Sequence, residues 1–418
     1  MVGQYPDTRR PRQVFIASLF LSATAGLSWM FGLWGPVLSL LLIPLVLAQR
    51  TRLARFSVAF AYYLAGSHGI PLASAVFFGP GRGHWIEGVA LWLVSSVLLA
   101  SGWTFANTGG KAVVVLLLDA LTPPLAFFDW MSPLAAAGVL FPGTAAAGIL
   151  FLLSAVYIGG NWLTNRWPAP CKGPADAPWR LLHGVAVIAL VMTAAIANLV
   201  TVAIPPSPPK GWLGLDLHIG PSSKSVATNF QHMDRWMAAA CTRHGADRHP
   251  RAKVILLPET LLTWWAGNAA DVQAHVPPGQ TWLVGASIPL KRGYFADGIE
   301  AVTRHHSEMV FASALPVPVS MWRPWHKPSG DSFGLNNYRA FWLSPTKTID
   351  GKRVWASICY DQLLPFSWME ASLYQPQVIL LTNNEWWARG TGIPQIQKAS
   401  GWAWARLTGA VTIEAENA

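Results

Sequence analysis

The chain has 418 residues, 52% of them hydrophobic and only 12% charged, with 30 Lys and Arg against 20 Asp and Glu for a formal charge of +10. Ordinary globular chains carry about 25% charged residues, so a purely soluble protein, a disordered chain and a coiled coil are excluded; a membrane protein, or a membrane half joined to a soluble half, remains. In that setting the basic excess reads as loop residues that orient spans and meet anionic lipid, rather than as a nucleic-acid footprint.

In chain order, apolar runs lie near 14–34, 35–49, 56–79, 86–103, 112–130, 133–158 and 181–204. A helix needs about 20 apolar residues to cross a bilayer, and a multi-pass α-helical membrane domain of about seven helices is expected over residues 1–204. The second run is short, and the third is broken by Gly66, His68, Gly69 and Pro71, so each is either re-entrant or kinked. Ala23-Thr24-Ala25 resembles a signal-peptidase site, yet the apolar run continues to Trp34 and no cleavage is expected. Basic residues cluster at Arg9, Arg10 and Arg12, at Arg50, Arg52 and Arg55, and at Arg166, Lys172 and Arg180. The positive-inside rule puts all of them in the cytoplasm. Seven spans then place everything after residue 205 on the outer face of the membrane.

PPSPPK at 205–210 opens a stiff proline-rich linker, 205–212. From 213 to 418 short apolar runs alternate with amphipathic stretches. Strands are expected at 213–220, 253–259, 281–289, 300–306, 309–314, 353–361 and 377–384, and helices at 225–245 and 395–408. Such alternation indicates an α/β sheet domain. Cys171, Cys241 and Cys359 form neither a disulfide framework nor a CxxC ligand pair, so reactivity is the property to weigh.

Three positions carry possible chemistry. Glu259 closes the run VILLPE at a strand's carboxyl end, where α/β sheets gather ligands. A half-desolvated carboxylate there is either a base or an ordinary loop cap. Lys327, in WRPWHKPSGD, is either an electrostatic catalyst in an apolar pocket or an exposed lysine beside interfacial tryptophans. Cys359 ends the strand of VWASICYDQL; it is either a nucleophile on a strand-to-helix turn or a buried structural thiol.

Taken together, PE at a strand end, then HK, then ICYD, then LTNNEWW resembles the nitrilase superfamily of carbon–nitrogen hydrolases. With a membrane half in front, the layout is similar to apolipoprotein N-acyltransferase, the membrane branch of that superfamily. QLLPFSW and WARGTGIPQIQKASGWAWARLTG resemble most the TraB family of plasmid conjugal-transfer proteins. The resemblance implies an αββα sandwich over 213–418 with a Glu259-Lys327-Cys359 triad. It implies a thioester formed on Cys359 from a phospholipid, Glu259 as the base, and Lys327 with the backbone N–H after Cys359 holding the oxyanion. The acyl group would pass to an amine such as a lipoprotein N-terminus. It further implies supporting roles for Asp331, Tyr360, Asp361, Trp386 and Trp387. The acyltransferase continues past the equivalent of residue 416, so the sandwich is expected to lack its last strands.

His305-His306 and His326 have no second metal ligand in a recognisable spacing, and no metal or organic cofactor is expected. Gly79-Pro80-Gly81-Arg82-Gly83 reads as a loop. The function expected is membrane-bound, cysteine-dependent acyl transfer in a conjugal-transfer context, at the bacterial inner membrane with the catalytic domain in the periplasm. Its partners would be phospholipid, an amine acceptor and the conjugation machinery, with no direct nucleic-acid contact. The alternatives are a non-catalytic accessory protein of conjugation that keeps the fold, and a membrane-anchored amide hydrolase. A transporter is disfavoured because Asp119 and Asp129 are almost the whole charge inside the spans.

Overall fold

The computed structural model describes residues 9–78, 82–164, 177–221, 225–242, 252–325 and 337–418. The chain forms two compact units: Met1–Ala203 with Gly390–Leu407, and Ile204–Arg389 with Thr408–Ala418. The stretch 390–407, expected from sequence in the second domain, therefore packs within the first.

The first unit is helical: α1 (Arg9–Leu27), α2 (Trp34–Leu38), α3 (Leu42–Leu47), α4 (Arg52–Gly66), α5 (Ile70–Phe78), α6 (Arg82–Trp103), α7 (Gly109–Leu121), α8 (Ala136–Leu140), α9 (Ala146–Leu163) and α10 (Ala177–Ala203). Among the described residues four helices are long and apolar enough to cross a membrane: Arg12–Phe31, Gly83–Trp103, Ala146–Leu163 and Gly184–Ala203. A shorter apolar helical stretch, Trp34–Leu47, accompanies them. The remaining apolar runs are broken where proline and glycine remove backbone donors or relax the chain. The run 35–49 stays helical over Trp34–Leu47, with a 3-10 turn, Ser39–Leu41, between α2 and α3. The run 56–79 breaks at Ser67–Gly69. The run 112–130 stops helically at Leu121, before Pro123-Pro124, and 133–158 is interrupted around Pro142-Gly143.

Small residues let these helices approach closely, as in other membrane bundles. A Cβ on Gly26 of α1 would run into the Tyr62 carbonyl of α4, and one on Gly160 of α9 would lie 2.6 Å from the Gly109 Cα of α7. Thr51 and Thr108 cap α4 and α7 by accepting from the Ala54 and Lys111 N–H groups. The unit has two distinct ends. At one, Arg55 donates to the Gln49 and Thr104 carbonyls and Arg52 lies over the Phe105 ring. Across the 15 residues of α4, about 22 Å of helix, the other end holds Gly69 against Thr391 and the 141–145 turn against 406–407. There Gly143 and Ala145 donate to the Arg406 and Leu407 carbonyls, and Arg406 donates to Asn198 of α10.

The second unit contains β1 (Trp212–Gly214), α11 (Val226–Thr242), β2 (Val254–Leu256), α12 (Trp265–His275), β3 (Thr281–Pro289), β4 (Phe295–Val302), β5 (Ser307–Ala312), β6 (Lys347–Ile349), β7 (Lys352–Ile358), α13 (Pro365–Tyr374) and β8 (Val378–Asn384). After α14 (Ile393–Thr408), β9 (Val411–Asn417) returns to it. The proline-rich linker gives way to β1 already at Trp212. One sheet has order β1-β2-β3-β4-β5, the other β6-β7-β8-β9. The triplets β1-β2-β3 and β7-β8-β9 are parallel, and the remaining pairs antiparallel. A single buried cluster joins Val254, Leu256, Leu283 and Ile299 of the first sheet to Val354, Ile358, Leu380 and Ile413 of the second. The opposite face of the first sheet packs Ile255, Trp282 and Val284 against Met233, Trp236 and Met237 of α11 and Val272 of α12. Trp355 of β7 meets Trp368 of α13 with ring centres 5.0 Å apart. β7 and β8 pair in parallel, and hydrogen bonds from Thr382 and Asn384 of β8 to the segment after β2 bring the carboxyl ends of all three together, which is where the site forms.

Candidate active site

Glu259 follows β2 by three residues and Cys359 follows β7 directly, so both stand at strand ends. The turn carrying Glu259 is tightly built. Thr260 takes a left-handed backbone, φ 45°, and Leu261 donates to the Gly285 carbonyl of β3. A Cβ at Gly285 would collide with the Pro258 carbonyl and sit 2.6 Å from the Glu259 Cα. Only glycine lets the neighbouring strand pass that close. Cys359 also has a positive φ, 48°, at the start of a five-residue 3-10 turn, Cys359–Leu363. Backbone strain of this kind in a non-glycine residue clusters at functional sites.

The two side chains meet. Cys359 hydrogen-bonds Glu259, and both are buried, at 6% and 4% exposure. The Asn384 N–H, at the end of β8, donates to Glu259 Oε2 at 3.0 Å. Thr382 of the same strand donates to the Leu257 carbonyl at 3.1 Å. These two bonds lock the carboxyl ends of β2 and β8 together. Asp297 of β4 hydrogen-bonds Glu259 from the other side and accepts from Thr260 Oγ1 at 3.0 Å.

The electrostatics follow from burial among carboxylates. Burial pushes the Glu259 carboxyl well above its usual range, the Asp297 charge adds to this, and the hydrogen bonds from Cys359 and the Asn384 N–H partly offset it. Burial likewise raises Asp297, to about 6. The Cys359 thiol is driven well above its ordinary value, first by burial and then by Glu259, Asp297 and Glu385. A thiol so placed is protonated at neutral pH and needs a base to become a nucleophile. The carboxylate that can take the proton is already in hydrogen-bond contact with it.

Among the other expected residues, Asp361 is buried two positions beyond the cysteine. It accepts from Ser313 Oγ at 3.1 Å and from the Ala314 and Leu315 N–H groups at 2.9 Å each. Burial lifts its pKa to about 7 in spite of those bonds. Its place is to pin the 313–315 segment beneath the cysteine turn. Tyr360 is buried in that same turn. Trp386 and Trp387 are half-buried in a short 3-10 turn, Trp386–Ala388, directly after β8. Lys327 and Asp331 lie outside the described residues, as do His326, Cys171, Arg166 and Lys172.

The structure adds Asp297 and Glu385 to the site. Glu385 stands next to the Asn384 that donates to Glu259, and its own N–H donates to the Asn417 carbonyl of β9. A signal for Asp297 existed: FADGIEAV places an acid within a run whose neighbours are apolar. The strand expected at 300–306 starts too late to include it. Among the described residues no group of three His, Cys, Asp or Glu is arranged to hold a metal ion.

No family model matches the chain. It is similar to the conjugal transfer protein TraB of Agrobacterium fabrum, 30% identical over 400 residues that cover 90% of this chain and 86% of that protein. It is also similar to the probable conjugal transfer protein TraB of Sinorhizobium fredii, 27% identical over 413 residues covering 96% of each. Among solved structures, a glutamine-dependent NAD+ synthetase from Acinetobacter baumannii is 14% identical, with a TM-score of 0.28, over 41% of this chain and 31% of that one. A TM-score of 0.28 establishes neither a shared fold nor a shared activity.

Proposed function

The chain belongs to the TraB family of conjugal transfer proteins, and on that premise we propose that it serves conjugation as a membrane-bound acyltransferase acting through Cys359. The observation that carries the reading is the buried hydrogen bond between the Cys359 thiol and the Glu259 carboxyl at the joined ends of β7 and β2. The two-sheet unit is read as a nitrilase-like αββα sandwich. Its layers support that reading, with α11 and α12 outside the first sheet and α13 outside the second.

In this reading Cys359 Sγ attacks the carbonyl carbon of a phospholipid ester while Glu259 takes the thiol proton. The tetrahedral oxyanion is met by the backbone N–H after Cys359 and by Lys327. The ester C–O bond then breaks, the leaving alcohol recovers the proton from Glu259, and the acyl group remains as a thioester. An amine, such as a lipoprotein N-terminus, attacks next. Glu259 takes the amine proton and returns it to the sulfur. Water in place of the amine would make the protein an amide or ester hydrolase. The charges acting on Glu259 and Cys359 among the described residues are negative. A lysine brought to this cluster would lower both the carboxyl and the thiol pKa, which is the part assigned to Lys327. Detection of the thioester tests the reading.

One observation favours a second reading, a non-catalytic accessory protein: a thiol held far above its ordinary pKa is unreactive without that added charge. Under that reading no thioester forms.

The protein is assigned to the inner membrane with the second unit in the periplasm. The first unit supports this through its two ends. Arg52 and Arg55 mark one of them, and basic ends face the cytoplasm. The 390–407 stretch sits at the other. Alkaline phosphatase fused after Ile204 is expected to be active in intact cells, and green fluorescent protein at the same point dark. The reverse pattern would place the second unit in the cytoplasm.

A further inference from the structure

Asp297 holds a place in the site that the mechanism above leaves unused. It lies on β4 two residues before Ile299, which packs in the cluster between the two sheets, so the pleat turns both side chains to the same face. It is 2% exposed. Its backbone is fixed from both sides: it stands opposite Ser287 of β3, and its carbonyl accepts from the Ser313 N–H at 2.8 Å. Its carboxyl accepts from Thr260 Oγ1 at 3.0 Å and is hydrogen-bonded to Glu259. The other titratable groups around the pair are Cys359 after β7, Asp361 in the cysteine turn, Glu385 after β8, and Tyr338, whose hydroxyl donates to Ser287 at 3.0 Å. The three carboxyls nearest the thiol, Glu259, Asp297 and Glu385, all oppose further negative charge there.

Two carboxyl groups hydrogen-bond each other only through a proton that one of them carries. The Glu259–Asp297 pair therefore holds one proton and one charge between them, as paired carboxyls in other sites do. A cation beside the pair, the part assigned to Lys327, changes how tightly that proton is held and leaves the bond dependent on it. Whichever carboxyl has the proton at rest, Glu259 is able to take the thiol proton only when the shared proton is on Asp297. In that state Asp297 donates to Glu259 and steadies its charge.

We propose that Asp297 is a positioning residue for the acyl transfer, which keeps Glu259 competent as a base by holding the proton the two carboxyls share. This role rests on the acyl-transfer reading. As Cys359 Sγ bonds to the acyl carbon, the S–H bond breaks and its proton goes to Glu259, while the shared proton stays on Asp297. When the alcohol leaves, Glu259 gives it that proton and the pair returns to one proton. The test is the rate of acyl-enzyme formation between pH 5 and pH 9, read by intact mass. The full-length protein in dodecyl maltoside is first cleared with hydroxylamine and then given dioleoyl phosphatidylglycerol. The parent is expected to lose rate below about pH 6, where the pair takes a second proton. Asp297→Ala leaves Glu259 a lone buried carboxyl without its donor, which holds a proton more tightly. Its acid limb is expected at least one pH unit higher, a tenfold loss of rate at pH 5.5 beyond any loss at pH 8.5. Asp297→Asn supplies an N–H donor in the same place and is expected to return the limb to the parent's position. A folded Asp297→Ala whose limb has not moved would overturn the proposal. So would a folded Asp297→Asn that is not acylated, or whose limb lies a unit above the parent's; this variant decides alone if Asp297→Ala does not fold. A parent that forms no acyl-enzyme at any pH overturns the acyl-transfer reading and this role with it, an outcome distinct from acylation with an unmoved limb.

Discussion

Replacing Glu259 by Gln is expected to slow acylation of Cys359 by roughly 100- to 10,000-fold, the usual contribution of a positioned base. The amide keeps the shape of the side chain and removes its ability to accept the thiol proton. The same change removes a negative charge and hydrogen-bond acceptor that raise the thiol pKa. Alkylation of Cys359 by iodoacetamide should therefore have its midpoint at lower pH in Glu259→Gln than in the parent, measured with Cys171 and Cys241 replaced by Ser. Acylation falling while alkylation moves to lower pH identifies a base. A carboxylate that merely supports the turn would slow both reactions together.

The second large effect is on stability. Asp361→Ala leaves the Ala314 and Leu315 N–H groups and the Ser313 hydroxyl without their buried acceptor. Each buried group left unpaired costs about 1–3 kcal/mol, so the loss is about 3 kcal/mol or more. For a unit of this size each kcal/mol moves the melting point by roughly 2–4 °C, and thermal unfolding should read a fall of at least about 6 °C. The pH dependence has a definite sign. Asp361 titrates near 7 when folded against an ordinary value of 3.8, so between those values the folded state holds its proton more tightly than the unfolded chain. Its contribution is therefore full below pH 3.8 and is lost as pH rises through 7. Asp297, raised to about 6, acts in the same direction. The wild-type melting point is expected to be higher at pH 5.5 than at pH 8. Asp361→Ala should flatten the upper part of that slope.

Legibility from the sequence divides along physical lines. Glu259 and Cys359 each follow an apolar strand, where an acid also reads as a loop cap and a thiol as structural, and it is their joint pattern with HK and LTNNEWW that singles them out. Asp297 escaped because the strand expected at 300–306 begins after it, whereas β4 opens at Phe295, directly behind the basic turn KRG. The expected strands at 300–306 and 309–314 proved to be the hairpin β4–β5, with its turn between Val302 and Ser307. β9 was missed because VTIEAEN reads as polar. Its burial alternates, with Ile413, Ala415 and Asn417 inward, as in a strand with one covered face. The membrane half was legible as apolar, but hydropathy counts residues and not hydrogen bonds. Pro123-Pro124, Pro142-Gly143 and the Ser67–Gly69 break leave apolar composition intact while ending the helices. The placement of 390–407 in the first unit had no signal in composition, since its amphipathic face suits either neighbour.

The most direct measurement of the central claim is the intact mass of the protein purified from membranes, before and after hydroxylamine, beside the Cys359→Ala variant. The thioester account predicts a fatty-acyl increment on the parent that hydroxylamine removes and that Cys359→Ala never carries. A parent protein that stays unmodified after incubation with phospholipid, indistinguishable from Cys359→Ala, would contradict the account and leave the accessory role.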